Sequence, residues 1–336
     1  MKAKIFLLFL IIILSNNLFA QDIHFSQFFS SPLSLSPALT GHFDADWRVT
    51  NNYRSQWKSI SNPYKTISIG YDRNFYYYNE KISGGIYIIN DQSGSMNFTV
   101  NKIFISGAYH KTIGNNTFHL GIQPGFVLKS YDKDKITLPD QFDMTVGTFN
   151  SDLPDNESSL NNNISYFDMN IGGAWNRNFG KFEPTVAVSF FHITAPKEEF
   201  ANKSNRLPLR TAIYGKLNYK LTEKISLIPN LIYLRHKVAD EFLLGTNIDY
   251  KINIEAYKLN SIYVGFYFRD GITSNFDAIY PVVGAKFKNL QVGISYDFNV
   301  SPLKIATSYK GAFEISLIYK SASSLLPKIT IPCDRF

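Results

Sequence analysis

The sequence has little of the chemistry on which disulfide-bonded, zinc-binding and nucleic-acid-binding proteins depend. A single cysteine, Cys333, occurs among 336 residues, so the chain cannot form an internal disulfide. There is no CxxC pair or zinc-finger spacing, and the net charge of +7 is spread along the chain instead of gathered in basic blocks. These absences exclude a disulfide framework and the common nucleic-acid-binding modules.

Long apolar runs are also absent from most of the chain. After residue 20 there is no stretch of about 18 apolar residues, which a membrane-spanning helix requires. The first twenty residues have the features of a secretory signal peptide, because Lys2 and Lys4 precede an apolar core at 5–14 and a cleavage-like end at 18–20. We therefore expect residues 1–20 to direct secretion and the mature part to lack spanning helices.

Motifs for catalysis and metal binding are missing as well. The six histidines are not placed in HExxH or beside carboxylates at ligand spacing, and neither a GxSxG elbow nor a glycine-rich phosphate loop occurs. The acidic segment 130–165 does not fit the twelve-residue calcium loop and is expected to be a solvated surface loop. We therefore predict no catalytic residue, no metal and no cofactor. An outer-membrane enzyme with a Ser/His pair at a lumen edge is kept as a third interpretation.

What the sequence does contain is a two-residue alternation. In Thr117–Lys129 every second residue, from Phe118 to Leu128, is apolar, and the residues between them are mostly small or polar, including His119 and Gln123. A β-strand points alternate side chains to opposite faces, whereas Pro124 would interrupt a helix. The segment is also long enough to cross a membrane as a tilted strand of roughly 9–11 residues.

Similar segments recur along the chain. The candidate strands are roughly 47–54, 64–73, 81–90, 97–109, 117–129, 166–177, 182–192, 209–221, 225–237, 241–251, 258–268, 275–287, 290–298 and 309–320. The longest gaps, 130–165 and 193–208, are both odd-numbered connections, while several even-numbered connections are tight. Only 18% of the residues are charged. This pattern favours a transmembrane antiparallel β-barrel of about 14 strands over a soluble β-sandwich or barrel.

The predicted organisation has four parts. Residues 1–20 form the signal peptide, 21–46 a non-regular N-terminal extension packed in or on the barrel, 47–320 the outer-membrane barrel, and 321–336 a short periplasmic C-terminal tail. The extension contains Pro32, Pro37 and Gly41, which prevent a long regular element. It is also too apolar for a free linker. We expect both termini to be periplasmic.

The extension and the first strand carry a family pattern. FSQF at 25–28 is followed by PL, PA and Gly41, then by YRSQW at 53–57 and by a proline, a lysine and a threonine. This pattern resembles the PorP/SprF family of type IX secretion membrane proteins, with Ser36 where asparagine is usual. The chain's last strands and its CDRF end are also similar to the family. The residues that carry the resemblance, and that are candidates for partner contacts, are Phe25, Ser26, Gln27, Phe28, Pro32, Leu33, Leu35, Pro37, Ala38, Gly41, Tyr53, Arg54, Gln56, Trp57, Pro63, Lys65 and Thr66.

The resemblance implies a function in protein export. Such a protein is a non-enzymatic component of the outer membrane of a Gram-negative bacterium. It would contact membrane lipid and either the type IX machinery or the C-terminal domain of a secreted adhesin or other cargo. It would support export or surface anchoring, including in gliding, or link to the secretion motor. The alternative is a porin-like solute channel of the same fold.

Two groups of charged residues have competing interpretations. Arg54 and Trp57 lie just after the predicted first strand, where they form either a protein-binding hot spot at the outer rim or a fastening for the N-terminal extension. Arg210, Lys216 and Lys220 are predicted to face the lumen. There they either attract an acidic cargo segment or pair with carboxylates of neighbouring strands.

Overall fold

Fourteen long strands dominate the structure. The computed structural model describes residues 23–57, 62–78, 80–94, 96–132, 141–143, 146–149, 162–198, 205–237, 239–255, 258–271, 275–305 and 307–324. The predicted signal peptide, Cys333, most of the predicted tail and much of the 130–165 connection lie outside these residues. The strands are β1 (Trp47–Gln56), β2 (Tyr64–Tyr77), β3 (Glu80–Ser93), β4 (Phe98–Ile113), β5 (Asn116–Ser130), β6 (Asn163–Arg177), β7 (Phe182–Phe191), β8 (Arg210–Lys220), β9 (Ile225–His236), β10 (Ala239–Ile254), β11 (Leu259–Gly271), β12 (Asn275–Phe287), β13 (Leu290–Asn299) and β14 (Lys310–Lys320).

The strands form one closed antiparallel barrel. Each pairs with its neighbours in the chain, and β1 closes the ring by pairing with β14, so that Arg48 lies opposite Asp72 on one side and opposite Lys320 on the other. Closure leaves no unpaired strand edge, which is the condition for a sheet to cross a membrane. The predicted fold class and strand count are confirmed. A separate two-stranded hairpin, Phe142–Asp143 with Thr148–Phe149, lies in the longest connection.

The alternation along the strands separates a lipid-facing surface from an inner one. On β5, Leu120, Ile122 and Phe126 are 65%, 57% and 60% exposed, whereas Gln123 and Val127 on the opposite face of the strand are buried. An apolar exterior combined with polar side chains inside is the arrangement of a transmembrane barrel and the reverse of a soluble one.

The connections differ in length between the two ends of the barrel. At one end, which we call the turn end, the strands are joined by the tight connections 78–79, 114–115, 178–181, 221–224, 255–258 and 288–289. At the other, the loop end, lie the three long connections 131–162, 192–209 and 300–309, together with the shorter connections 57–63, 94–97, 237–238 and 272–274. β1 begins and β14 ends at the turn end.

The segment that precedes β1 lies inside the barrel. We call residues 23–46 the plug. It contains three short helical turns, Phe28–Ser30, Pro32–Leu35 and Pro37–Leu39, two of which begin with proline, whose fixed φ suits a helical start. Among the described residues no helix has the length and apolar character needed to cross a membrane.

The plug runs from one end of the lumen to the other. Its first residues contact the loop-end parts of the wall, where His24 lies 3.2 Å from Glu241 near the start of β10. Its last residues contact the turn-end parts, where Asn74 Nδ2 donates to the Ala45 carbonyl at 2.8 Å. Ile23 and the end of β14 therefore lie at opposite ends of the barrel. The chain thus traverses the lumen before β1 begins, and the periplasmic placement of the two termini themselves stays a prediction.

Apolar side chains of the plug pack against inward-facing aromatic residues. Phe28 meets Tyr214 and Tyr267 edge-on at centroid distances of 6.3 and 6.0 Å, and Phe29 stacks on Tyr267 at 5.5 Å. Tyr267 in turn stacks on Tyr280. Leu33 enters a second cluster on the other side of the lumen. Burial of these large side chains supplies the main stabilisation of the plug.

Candidate functional site

The start of the plug is bound to one carboxylate of the wall. Glu314 of β14 is 1% exposed, and it accepts hydrogen bonds from the backbone N–H groups of Ser26 at 2.6 Å and Gln27 at 2.8 Å. The Gln27 side chain extends the contact, because Nε2 donates to the Glu314 carbonyl and Oε1 accepts from Ser316 Oγ at 2.8 Å. The Ser-Gln pair of the FSQF motif is thus held through both main chain and side chain.

Arg54 connects this carboxylate to the YRSQW segment. Its Nη1 donates to Glu314 Oε1 at 2.5 Å and to Ser26 Oγ at 2.6 Å, and its Nη2 donates to Asp297 Oδ2 at 3.1 Å. Gln56 is two residues further along β1 and therefore on the same strand face. Gln56 Oε1 accepts from Arg54 Nε and Nη2 at 3.3 and 3.0 Å. The arginine–glutamine spacing of the motif thereby orients the guanidinium.

A second arginine completes the arrangement. Arg269 of β11 donates to Ser26 Oγ at 3.1 Å, to Asp297 Oδ2 at 3.2 Å and to Asp277 Oδ2 at 2.6 Å. Ser26 Oγ itself donates to Asp297 Oδ2 at 2.7 Å. Buried charges must be paired and hydrogen-bonded to be tolerated, and these are. We call this group the arginine–carboxylate cluster; its members are Ser26, Gln27, Arg54, Arg269, Asp297 and Glu314.

A second ion pair holds the end of the plug. Arg48 of β1 pairs with Asp72 of β2 through two hydrogen bonds, of 3.0 Å from Nε and 2.6 Å from Nη2. The Gly41 N–H donates to Asp72 Oδ2 at 2.7 Å, and Arg48 Nη2 reaches the Leu39 carbonyl. Gly41 has φ +71° and a Cβ there would overlap Ser83 Oγ. The glycine of the family pattern is therefore required both by backbone conformation and by space.

The middle of the plug lies directly on glycines of the wall. A Cβ at Gly121 would overlap the backbone of Pro37 and Ala38, and one at Gly172 would overlap Ser36 Oγ. Next to this contact Gln123 Nε2 donates to the Leu33 carbonyl at 3.2 Å. The Pro-Ala turn of the family pattern can approach the wall this closely only because these positions have no side chain.

Three histidines also meet between plug and wall. The Nδ1 atoms of His110 and His119 are 2.5 Å apart, and the His42 ring lies 4.8 Å from that of His119. His110 Nε2 is 2.9 Å from Ser83 Oγ, and His119 Nε2 is 2.7 Å from Asn176 Oδ1. Within the described part of the chain, no group of three or more His, Cys, Asp or Glu residues is arranged to hold a metal ion.

The remaining signature residues divide between wall and rim. Trp57 has φ +58°, its N–H donates to the Gly311 carbonyl at 3.1 Å, and its ring packs edge-on against Tyr64 at the loop end. Lys65 is exposed, and Thr66 Oγ1 donates to Asp91 Oδ1 at 2.6 Å. Tyr53 and Pro63 are half-buried, and neither is a member of the arginine–carboxylate cluster. Of the two interpretations of Arg54, the geometry is that of a fastening for the plug, since Arg54 is only 3% exposed.

The three predicted basic lumen residues occupy different surroundings. Arg210 is buried at the loop end with its guanidinium 4.9 Å from the centre of the Phe191 ring. Lys216 lines an inner cavity near the turn end. Lys220 is exposed at the turn end of β8. The structure therefore does not bring them together as one basic surface.

Several residues of the site are not identifiable from the sequence. Asp297 is visible there only as a polar position of an alternating strand, and Arg269, Glu314 and Asp72 carry no motif. Their one signal is parity, because a charged residue on the small, polar face of a strand points into the lumen. Parity does not reveal which charges meet across the interior.

Comparison with known proteins identifies the fold and a family. The family described as "Type IX secretion system membrane protein PorP/SprF" matches residues 17–319. No curated protein matches the chain significantly. Among solved structures, a TodX deletion mutant, a monoaromatic hydrocarbon channel, is 7% identical, with a TM-score of 0.53 over 86% of this chain and 92% of that one. The toluene transporter TbuX of Ralstonia pickettii is 9% identical, with a TM-score of 0.51 over 87% of this chain and 94% of that one. These likenesses concern the barrel fold alone.

Proposed function

Because the chain belongs to the PorP/SprF family of type IX secretion system membrane proteins, we propose that it is a non-enzymatic outer-membrane component that supports export of a partner protein. The partner is a secreted adhesin or similar cargo that the barrel helps to export or anchor at the surface, or a component that links the barrel to the secretion motor. The observation that carries the proposal is the family match over nearly the whole chain. The plug that fills the lumen supports this proposal.

The proposed orientation follows the rule for bacterial barrels. Short turns face the periplasm and long loops face outward, so the turn end is periplasmic and the loop end is at the cell surface. The C-terminal end of β14 then faces the periplasm. The arginine–carboxylate cluster and the start of the plug lie near the outer mouth.

The plug supports a role other than passive diffusion. Fixed residues occupy the lumen from the loop end to the turn end, and they are held by buried ion pairs, hydrogen bonds and aromatic packing. A general porin requires an aqueous path through its lumen. A plugged barrel instead provides a rigid platform at both membrane surfaces, which suits the binding of a partner protein.

The proposal is tested by removing the gene from its host. We expect the amount of one or more type IX cargo proteins in the medium and at the cell surface to fall, as measured by quantitative mass spectrometry. Expression of the unaltered chain from a plasmid restores them. Normal export of every type IX cargo in the deletion strain would contradict the proposal.

A porin-like solute channel is the second candidate function. It is favoured by one observation, that two solved barrels with TM-scores above 0.5 are a monoaromatic hydrocarbon channel and a toluene transporter. At such low identity the likeness concerns the fold alone, and the plug argues against an open path. Conductance across a lipid bilayer distinguishes the two functions.

A further inference from the structure

A basic cavity lies inside the lumen near the turn end. It has a volume of about 160 Å³ and is bordered on one side by Phe29, Leu39 and His42 of the plug. Its wall residues come from the turn-end parts of the strands, including Arg48 at the start of β1 and Lys320 at the end of β14. The cavity therefore lies toward the turn end, the side that we propose to be periplasmic, where Lys320 is exposed.

The cations that line this cavity outnumber the carboxylates that form ion pairs with them. Four cations line it, namely Arg48, Lys216, Lys286 and Lys320. Arg48 pairs with Asp72, and Lys286 pairs with Asp249. Two of the four cations, Lys216 and Lys320, remain without an ion pair among the described residues.

Lys216 and Lys320 are placed so that an anion in the cavity could pair with both. Both lie on inward-facing positions of their strands, and both remain exposed to solvent. Glu183 attracts Lys216 electrostatically and Asp44 attracts Lys320, and neither carboxylate forms an ion pair with its lysine among the described residues. Two like charges directed into one confined volume repel each other, and this repulsion is relieved when an anionic group binds between them.

Apolar surface in the same cavity narrows the class of ligand. Tyr214, Tyr263, Ile228 and Ile318 line it together with the plug residues. A bare inorganic anion would gain nothing from these side chains. A peptide that presents a carboxylate beside an aromatic or aliphatic residue would bury apolar area and pair with the lysines at the same time.

We propose that this cavity binds an acidic segment of a partner protein, with carboxylates on Lys216 and Lys320 and a neighbouring apolar side chain against Tyr214 and Tyr263. Lipid head groups are not the occupant, because the strands separate the cavity from the lipid-facing surface. This inference rests on the proposed function only for the identity of the partner protein, which would be a periplasmic secretion component or a cargo.

The test uses the purified full-length mature barrel in detergent and a fluorescently labelled hexapeptide of alternating Asp and Phe. The matched probe replaces each Asp by Asn, and inorganic phosphate serves as a competitor. We expect the acidic peptide to bind about tenfold more tightly than the amide peptide, with affinity falling as salt is raised. Phosphate competes only at much higher concentration.

Lysine variants locate the binding. Lys216→Gln and Lys320→Gln are each expected to weaken binding of the acidic peptide several-fold and to leave binding of the amide peptide unchanged. Lys288 is an exposed turn residue outside the cavity, and Lys288→Gln is expected to change the affinity for neither peptide. Heat-modifiable migration on gels verifies that each variant is folded. Equal binding of the two peptides, an equal effect of Lys288→Gln, or phosphate binding as tight as the acidic peptide overturns the proposal.

The two proposals fail separately. Normal peptide binding by a barrel whose deletion leaves export intact would refute the secretion role alone. Loss of export on deletion, with no peptide binding by the purified protein, would refute the acidic-segment site alone.

Discussion

At the scale of single residues, the arginine–carboxylate cluster is the part of the molecule most sensitive to change. Arg54 and Arg269 donate to carboxylates that are themselves almost fully buried, and Ser26 Oγ lies between them. In such a network each charge is tolerated only because of the others. Removing one charge leaves a buried partner of opposite charge unpaired. The resulting loss in the free energy of unfolding is greater than the stabilisation that the ion pair itself provided.

Glu314→Gln tests this dependence with almost no change in volume. The amide cannot accept from both the Ser26 and Gln27 N–H groups while balancing Arg54. We expect the free energy of unfolding to fall by about 3–5 kcal/mol, measured by urea titration in lipid vesicles.

An ion pair at the loop end, whose arginine is exposed, provides the matched control for this substitution. Asp240 lies 3.9 Å from Arg235, whose side chain is 63% exposed. We expect Asp240→Asn to change the free energy of unfolding by less than about 1 kcal/mol. Equal effects of the two acid-to-amide substitutions would show that the cluster is not the fastening of the plug.

The lipid-facing surface makes a separate prediction. Ile122 lies near the middle of β5 and points outward, so Ile122→Arg places a charge near the bilayer midplane at a cost of about 2–4 kcal/mol. Phe118 is on the same face of the same strand close to the turn end. Phe118→Arg is expected to cost about 0–1 kcal/mol, because its charge reaches the interface. Heat-modifiable migration in vesicles measures both, and equal behaviour would contradict the assigned membrane position.

At the scale of elements, the fit between plug and wall depends on glycine. Gly121 faces inward against the Pro37–Ala38 backbone, whereas a Cβ at Gly107, on the adjacent strand, would meet nothing within 4 Å. We expect Gly121→Ala to destabilise by about 1–3 kcal/mol through forced displacement of the plug. Gly107→Ala is expected to be neutral or slightly stabilising.

The two glycine variants are compared by thermal unfolding and by protease cleavage within residues 23–46. Faster cleavage of the plug in Gly121→Ala alone is the expected result. If both variants are cleaved like the unaltered protein and unfold at the same temperature, the plug does not lie against β5.

The path of the plug through the lumen predicts an unusual topology. The plug starts at the loop end and β14 ends at the turn end, so an epitope inserted after Ala20 and one inserted after Ser324 are expected on opposite sides of the membrane. Antibody labelling of intact cells should detect only the first, in the proposed orientation. Labelling of the second alone would reverse the orientation, and labelling of both or neither would contradict the path.

The sequence predicts the elements well because alternation is a local signal. All fourteen strands lie within a few residues of the expected segments, since each alternation of apolar and polar residues depends only on neighbours in the chain. The plug is different. Ser26 and Glu314 are 288 positions apart, and no local rule states that one carboxylate will accept from the start of the chain. The motif residues could be found by resemblance, but their partners required the three-dimensional structure.

At the scale of the whole molecule, the barrel and the plug are stabilised together. The barrel alone would enclose buried arginines and carboxylates facing an emptied lumen, and the plug alone has too little apolar surface to fold. The plug ties β1, β11, β13 and β14 together near the seam that closes the ring. The plug therefore fastens the first strand to the last strands of the barrel, in addition to filling the lumen.

Deletion of the plug is an experiment that distinguishes a secretion platform from a solute channel. We expect the unaltered protein to give little steady current in a planar lipid bilayer, and a variant lacking Phe25–Gly41 to give an open-pore current, because the polar inner wall then encloses water. Heat-modifiable migration shows whether the variant still inserts, and the same variant in cells is expected to lose export more than insertion. If the variant fails to insert, the plug is structural, and Gly121→Ala provides the milder displacement for the current measurement. A steady current through the unaltered protein would favour the solute channel, since the plug would then leave a continuous aqueous path.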